Sequence, residues 1–148
     1  MNYSKYILVC VSVLISVTAS RAEEGSEGGE QKSRVGPGKA VLEASEKTGL
    51  RLSDKAIRSF ALTFKEVTSA EVSVPISALV RFQDFVAVYR KRDGWFRMVE
   101  IEPVIQGGLA RFSSKDLVPG DQVVSANGGL IRVVELDVFG PEADACVD

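Results

Sequence analysis

Phe85-Val86-Ala87-Val88-Tyr89-Arg90-Lys91-Arg92-Asp93-Gly94-Trp95-Phe96-Arg97-Met98-Val99-Glu100-Ile101-Glu102 is the stretch that decides the fold. Two runs of aromatic and β-branched residues flank the polar segment Lys91 to Gly94, whose glycine is free to take a positive φ. This predicts a β-hairpin with strands over 85–90 and 95–102. In the second strand Val99 and Ile101 share one face, while Met98, Glu100 and Glu102 share the other. The alternation predicts a core on the Val99 face and water on the opposite one.

Upstream, Val74-Pro75 is predicted to be extended, because proline disfavours helix in the residue before it, and residues 76–82 continue as a strand. Leu62, Phe64 and Val67, with Thr63 and Thr68, predict a first strand. Ser53 stands before Asp54-Lys55-Ala56-Ile57 as the N-cap of a short helix with an acidic first turn. Val41, Leu42 and Ala44 lie among charges and predict one or two helical turns ending at Gly49.

Downstream, residues 109–113 read as a strand. Val118-Pro119-Gly120-Asp121 has proline and glycine at the central positions of a type II turn. Residues 122–126 leave it as a strand that Asn127-Gly128-Gly129 ends. Leu130, Ile131, Val133, Val134 and Leu136 fit a short helix or a final strand equally well. The expected fold is mainly β: a small β-barrel or sandwich of five to six strands with one or two short helices.

At the N-terminus, Lys5 precedes an apolar run from Tyr6 to Val17, followed by Ser20-Arg21-Ala22. That order predicts a secretory signal peptide over 1–22, its run of about twelve residues being short of the roughly 20 that span a bilayer as a helix. Residues 23–49 begin EEGSEGGEQKSRVGPG and are expected to be a flexible acidic leader. The β-domain is expected over 50–138, with a C-terminal tail over 139–148. The mature chain would hold roughly 126 residues, one ordinary domain. Loss of Lys5 and Arg21 leaves a formal charge of about −4, which disfavours nucleic acid as a partner.

The chain has no histidine, which excludes Ser-His and Cys-His activation and removes the commonest general base and metal ligand. Asp84, Asp93, Asp116 and Asp121 all fall at predicted turns, where short carboxylates hydrogen-bond nearby backbone. Ser113, Ser114 and Ser125 lack an obvious base. Gly107-Gly108 and Gly128-Gly129 lack the strand-to-helix context of a phosphate loop and read as turns. No catalytic residue and no cofactor site is expected. Of soft-metal ligands the mature chain offers only Met98 and Cys146, too few for a closed site in one chain. No disulfide can form within it. Arg90, Lys91, Arg92 and Arg97 cluster with Trp95 and Phe96 at the hairpin turn, either as a solvated tip that discourages edge pairing or as a contact patch of residue types favoured at interfaces.

Four segments in order carry a resemblance: Val74-Pro75-Ile76-Ser77-Ala78-Leu79-Val80, Val86-Ala87-Val88-Tyr89, Gly94-Trp95-Phe96 with Val99-Glu100, and residues 116–124, Asp-Leu-Val-Pro-Gly-Asp-Gln-Val-Val. They resemble the C-terminal, membrane-proximal β-domain of periplasmic adaptor subunits, or membrane fusion proteins, of RND and heavy-metal efflux systems. Residues 50–67 are similar to the N-terminal segment of the same family, a short helix followed by the first strand of that domain. In a full adaptor a β-barrel, a lipoyl-like sandwich and a helical hairpin stand between the two parts; here only Thr68-Ser69-Ala70-Glu71 does. The resemblance implies a truncated, non-catalytic module of the periplasm that binds an inner-membrane efflux transporter or its full-length adaptor in transmembrane export. The competing expectation is an independent periplasmic metal carrier that uses Cys146.

Overall fold

The computed structural model describes residues 34 to 140 apart from Gln83. The expected signal peptide, the start of the leader and Cys146 lie outside the described residues. The first described elements differ from the expectation of a leader with helical turns. β1 (Val41–Ser45) and β2 (Gly49–Leu52) form an antiparallel hairpin. Val41, Leu50 and Leu52 are buried in it, so a strand with one core face wins over weak helical propensity. The folded part therefore begins before residue 50.

Ser53 caps α1 (Asp54–Ser59), its Oγ accepting the Ala56 N–H at 3.2 Å. β3 (Thr63–Glu66) and β4 (Glu71–Pro75) follow. The strand expected over 76–82 is broken by a 3-10 turn at Ile76–Ala78 and resumes only as β5 (Val80–Phe82). β6 (Phe85–Arg92) and β7 (Trp95–Ile101) pair from Val86↔Ile101 to Arg92↔Trp95. The connection is thus the two residues Asp93-Gly94, at φ 51° and 82°, the paired positive values of a type I′ turn. β8 (Val104–Gln106) and β9 (Leu109–Ser113) make a second tight hairpin, and β10 (Gln122–Ala126) leaves the Pro119-Gly120 turn as expected.

Residues 130–136 are helical, within α2 (Gly128–Phe139). Asn127, at φ 62°, turns the chain out of β10, and its Nδ2 donates to the Phe60 and Ala61 carbonyls at 3.0 and 3.2 Å. Buried Ile131 and half-buried Val134 and Val138 then recur at helical spacing on the inner face. Gly128 sits where a Cβ would lie 3.3 Å from the Ala78 carbonyl oxygen, so this corner admits only a glycine without adjustment.

The strands form two sheets, ordered β1-β2-β7-β6-β10-β3 with β5 beside β6, and β4-β9-β8. The result is mainly β and sandwich-like rather than a closed barrel, with ten strands instead of five or six. Between the sheets Val72, Val74, Val88, Val99, Ile101, Ala110, Phe112 and Val123 make one core. On the other face of the large sheet Leu50, Leu52, Ala56, Tyr89, Phe96, Val124 and Ile131 make a second. The expectation that the Met98 face is wet is therefore corrected: Val99 is a core residue, yet Phe96 on the opposite face is fully buried and Met98 is half-buried against the second core. Period-two alternation reports one covered face, whereas helices and connecting segments cover the other here.

Candidate functional site

The six residues nominated at the hairpin tip do not form one patch. The register pairs Arg92 with Trp95, Arg90 with Arg97 and Lys91 with Phe96. Successive strand residues point to opposite faces. Arg90, Arg92, Trp95 and Arg97 thus continue the face of Val88 and Val99, while Lys91 and Phe96 continue the face of Tyr89. Phe96 is inaccessible. The Lys91 ammonium lies 4.7 Å from the Phe64 ring centre and 5.9 Å from that of Phe96, the two rings being 6.1 Å apart. Its charge rests on an aromatic pair.

On the other face Arg92 is committed to Asp121. Its Nε donates to Asp121 Oδ1 at 2.6 Å and its Nη2 to Oδ2 at 2.7 Å, the bidentate match of a planar guanidinium to a carboxylate. Asp121 is only 2% exposed and also accepts the Val118 N–H at 2.9 Å. The hydrogen bonds from Arg92 hold its carboxyl below the usual carboxylate range, and the same bond raises the Arg92 guanidinium. Arg90 donates to the Asp116 carbonyl at 3.0 Å; burial, then the neighbouring Arg92 charge, lowers it. Arg90 and Arg92 therefore strap the hairpin to the loop of residues 114–121. Of the six, Arg97 and half-buried Trp95 are the ones with no hydrogen bond, ion pair or ring contact from their side chains among the described residues.

Asp84, Asp93 and Asp116 lie in turns, and of the four carboxylates read as turn residues Asp121 is the one shown to bond nearby backbone among the described residues. Asp93 occupies the I′ turn, and Asp121 closes the type II turn by bonding backbone. Ser125 Oγ lies 2.8 Å from Thr63 Oγ1. Among the described residues no group of three His, Cys, Asp or Glu side chains is placed to share a metal ion, and no helix is long and apolar enough to cross a membrane. A part-buried polar network does exist: Tyr89 donates to Glu135 Oε2 at 2.7 Å, Arg132 donates to the same oxygen at 2.6 Å, and the Arg132 guanidinium lies 4.3 Å from the Phe82 ring centre. It ties α2 to β6.

Sequence reasoning missed the β8–β9 hairpin as a surface. β8 is the edge of the small sheet, and all three of its residues are exposed. Val104 is 69% exposed and Ile105 47%, with Leu109 across the turn and Ile76 beside it, where the Ile76 N–H donates to the Gly108 carbonyl at 3.1 Å. Gly107 and Gly108 both take positive φ. Val104-Ile105-Gln106, then Gly107-Gly108, then Leu109 is a hairpin signal in the sequence itself. Compared with known protein families, curated proteins and solved structures, the chain matches none.

Proposed function

We propose that this chain is an exported, non-catalytic interaction module of the periplasm that works as a truncated adaptor subunit, binding an inner-membrane RND-type transporter or its full-length adaptor. The observation that carries the reading is the β8–β9 hairpin, an edge that leaves Val104 and Leu109 exposed on its outer face beside Ile76, and Ile105 exposed on the face of Ala110. An exposed apolar edge of this kind is a liability unless a partner covers it. The basic residues at the β6–β7 tip are mostly spent inside the fold, so the contact surface moves from that tip to this hairpin. The four sequence segments that resemble the adaptor family support the choice of partner.

The test is to measure binding of the chain from Glu23 onward to the transporter and to the full-length adaptor of the same organism, each held in lipid nanodiscs or solution. Changing Val104 and Ile105 together to Asp should weaken binding at least about tenfold, since a few central apolar residues dominate such contacts. Melting temperature should stay within a few degrees, because exposed substitutions cost about 0.5 kcal/mol or less. Equal binding by the variant, or none by the parent, defeats the reading. Stoichiometric submicromolar copper or silver binding that disappears in Cys146→Ser would put the carrier reading first.

A further inference from the structure

A cavity of about 350 Å³ opens between the entry to β1, at Lys39 and Ala40, and the α1 segment, at Lys55, Ala56 and Phe60. Hydrogen bonds fix its walls. The Ser53 N–H donates to the Ala40 carbonyl at 2.9 Å and the Phe60 N–H to the Ala56 carbonyl at 2.8 Å, while the Phe60 carbonyl accepts Asn127 Nδ2 at 3.0 Å. Small-molecule sites are largely pre-formed and run from about 300 to 1,000 Å³. This one has room for a small ligand and not for the paired acyl chains of a lipid. Ala40, Ala56 and Phe60 give it apolar walls.

Its charge is of one sign. Lys39 and Lys55 line it without any carboxylate, and neither ammonium has an ion pair or hydrogen bond among the described residues. Three other cavities of the described surface mix both signs, with Glu66 and Lys91, Glu71 and Arg111, and Glu135 and Arg132 among their walls. Two like charges at one rim repel, and an anion between them relieves the repulsion. Ser53 Oγ already accepts the Ala56 N–H at 3.2 Å, so its hydroxyl has a proton left to donate. We infer that this cavity binds a small amphiphilic carboxylate from solution, with the charge between Lys39 and Lys55 and the apolar body against Ala40, Ala56 and Phe60. Segments of the chain outside the described residues match half of the site each. Residues 23–33 hold four Glu but no large apolar side chain, which suits the rim and not the walls; the run Tyr6 to Val17 holds no carboxylate, which suits the walls and not the rim. The inference does not rest on the adaptor reading, whose contact surface is the β8–β9 hairpin.

Titration calorimetry and amide NMR of the chain from Glu23 onward with octanoate test it. One-to-one binding is expected with a dissociation constant of about 1 mM or tighter, and with shifts centred on Lys39, Ala40, Ala56 and Phe60. Octanol keeps the body without the charge and acetate the charge without the body; each should bind at least about tenfold more weakly. Lys39→Gln with Lys55→Gln should weaken octanoate by about fivefold or more at an unchanged melting temperature, since both side chains are exposed. The corresponding pair of Arg changes should keep the binding. No binding up to about 10 mM, octanol or acetate as tight as octanoate, indifference to the Gln pair, loss of binding in the Arg pair, or shifts centred on Val104 or Val133 overturns the inference. So does binding to phosphatidylglycerol vesicles without binding to free octanoate, which would make the ligand a membrane headgroup. Octanoate binding that appears only when residues 23–33 or 141–148 are deleted overturns it too, and would make the deleted segment the occupant.

Discussion

Asp121 shows how one residue can decide whether a loop and a hairpin act as a unit. Its carboxylate is buried, and a buried charge is tolerated only when its lone pairs are filled. Two guanidinium N–H groups and the Val118 N–H fill them. Removing Arg92 leaves the charge with one backbone donor, and Arg92→Ala is expected to cost about 2 kcal/mol in urea unfolding, the penalty of an under-satisfied buried group. Arg92→Lys should recover only part, since an ammonium cannot make the two-pronged contact. The acid limb follows from the depressed Asp121 carboxyl. Stability from this group is present above its unfolded value of about 3.9 and is lost as pH falls through the lower folded value. Asp121→Asn should therefore flatten the loss of stability below about pH 4; an unchanged acid slope would show that the pair carries none of it.

Among the elements, those whose own residues specify them were legible: the β6–β7 hairpin through Asp93-Gly94, the Pro119-Gly120 turn, the Ser53 cap and the strand Gln122–Ala126. Those specified by distant partners were not. β1 and β2 contain too few apolar residues to declare a strand, and they exist because Leu50 and Arg51 pair with Phe96 and Trp95 of β7. Segment 130–136 was ambiguous because its helix is selected by Asn127 reaching Phe60 and Ala61, a contact across more than sixty residues. The nominated patch contained the right charges but mixed two faces, since the pleat separates Lys91 and Phe96 from their neighbours. Gly49 makes the β1–β2 corner testable. It has φ 98°, and a Cβ there would meet the Phe96 carbonyl oxygen at 2.1 Å. Gly49→Ala should lower stability by more than about 2 kcal/mol. Gly94→Ala, also at positive φ but with its nearest neighbour at 3.6 Å, should cost only the left-handed backbone penalty of about 1 kcal/mol. Equal melting temperatures for the two variants would contradict this account of the corner.

At the scale of the described fold, β6 is shared by both cores: Val88 packs between the sheets, and Tyr89, its neighbour, packs under α2. Loss of either layer exposes the same strand, which argues for a single cooperative transition across residues 34–140. Tyr89 reports on it directly. After residue 22 the sequence contains no other tyrosine, so the chain from Glu23 onward gives a tyrosinate signal from this one ring. Burial first, and then the hydrogen bond and negative charge of Glu135, push its ionisation far above the ordinary value of about 10, because a phenolate would be desolvated beside a carboxylate. A group whose folded value is raised contributes stability that is complete below the unfolded value and declines as pH rises beyond it, since the unfolded chain can then lose a proton that the folded one keeps. Alkaline titration should show no tyrosinate absorbance around pH 10 to 11 while the β circular-dichroism signal is intact, and the two signals should then change together as the chain unfolds. Tyr89→Phe removes the proton linkage and should shift the alkaline unfolding midpoint upward relative to its stability at pH 7. Tyrosinate forming near the ordinary value in a chain that keeps its β signal would mean that α2 lifts from β6 on its own, and that the two layers do not unfold as one.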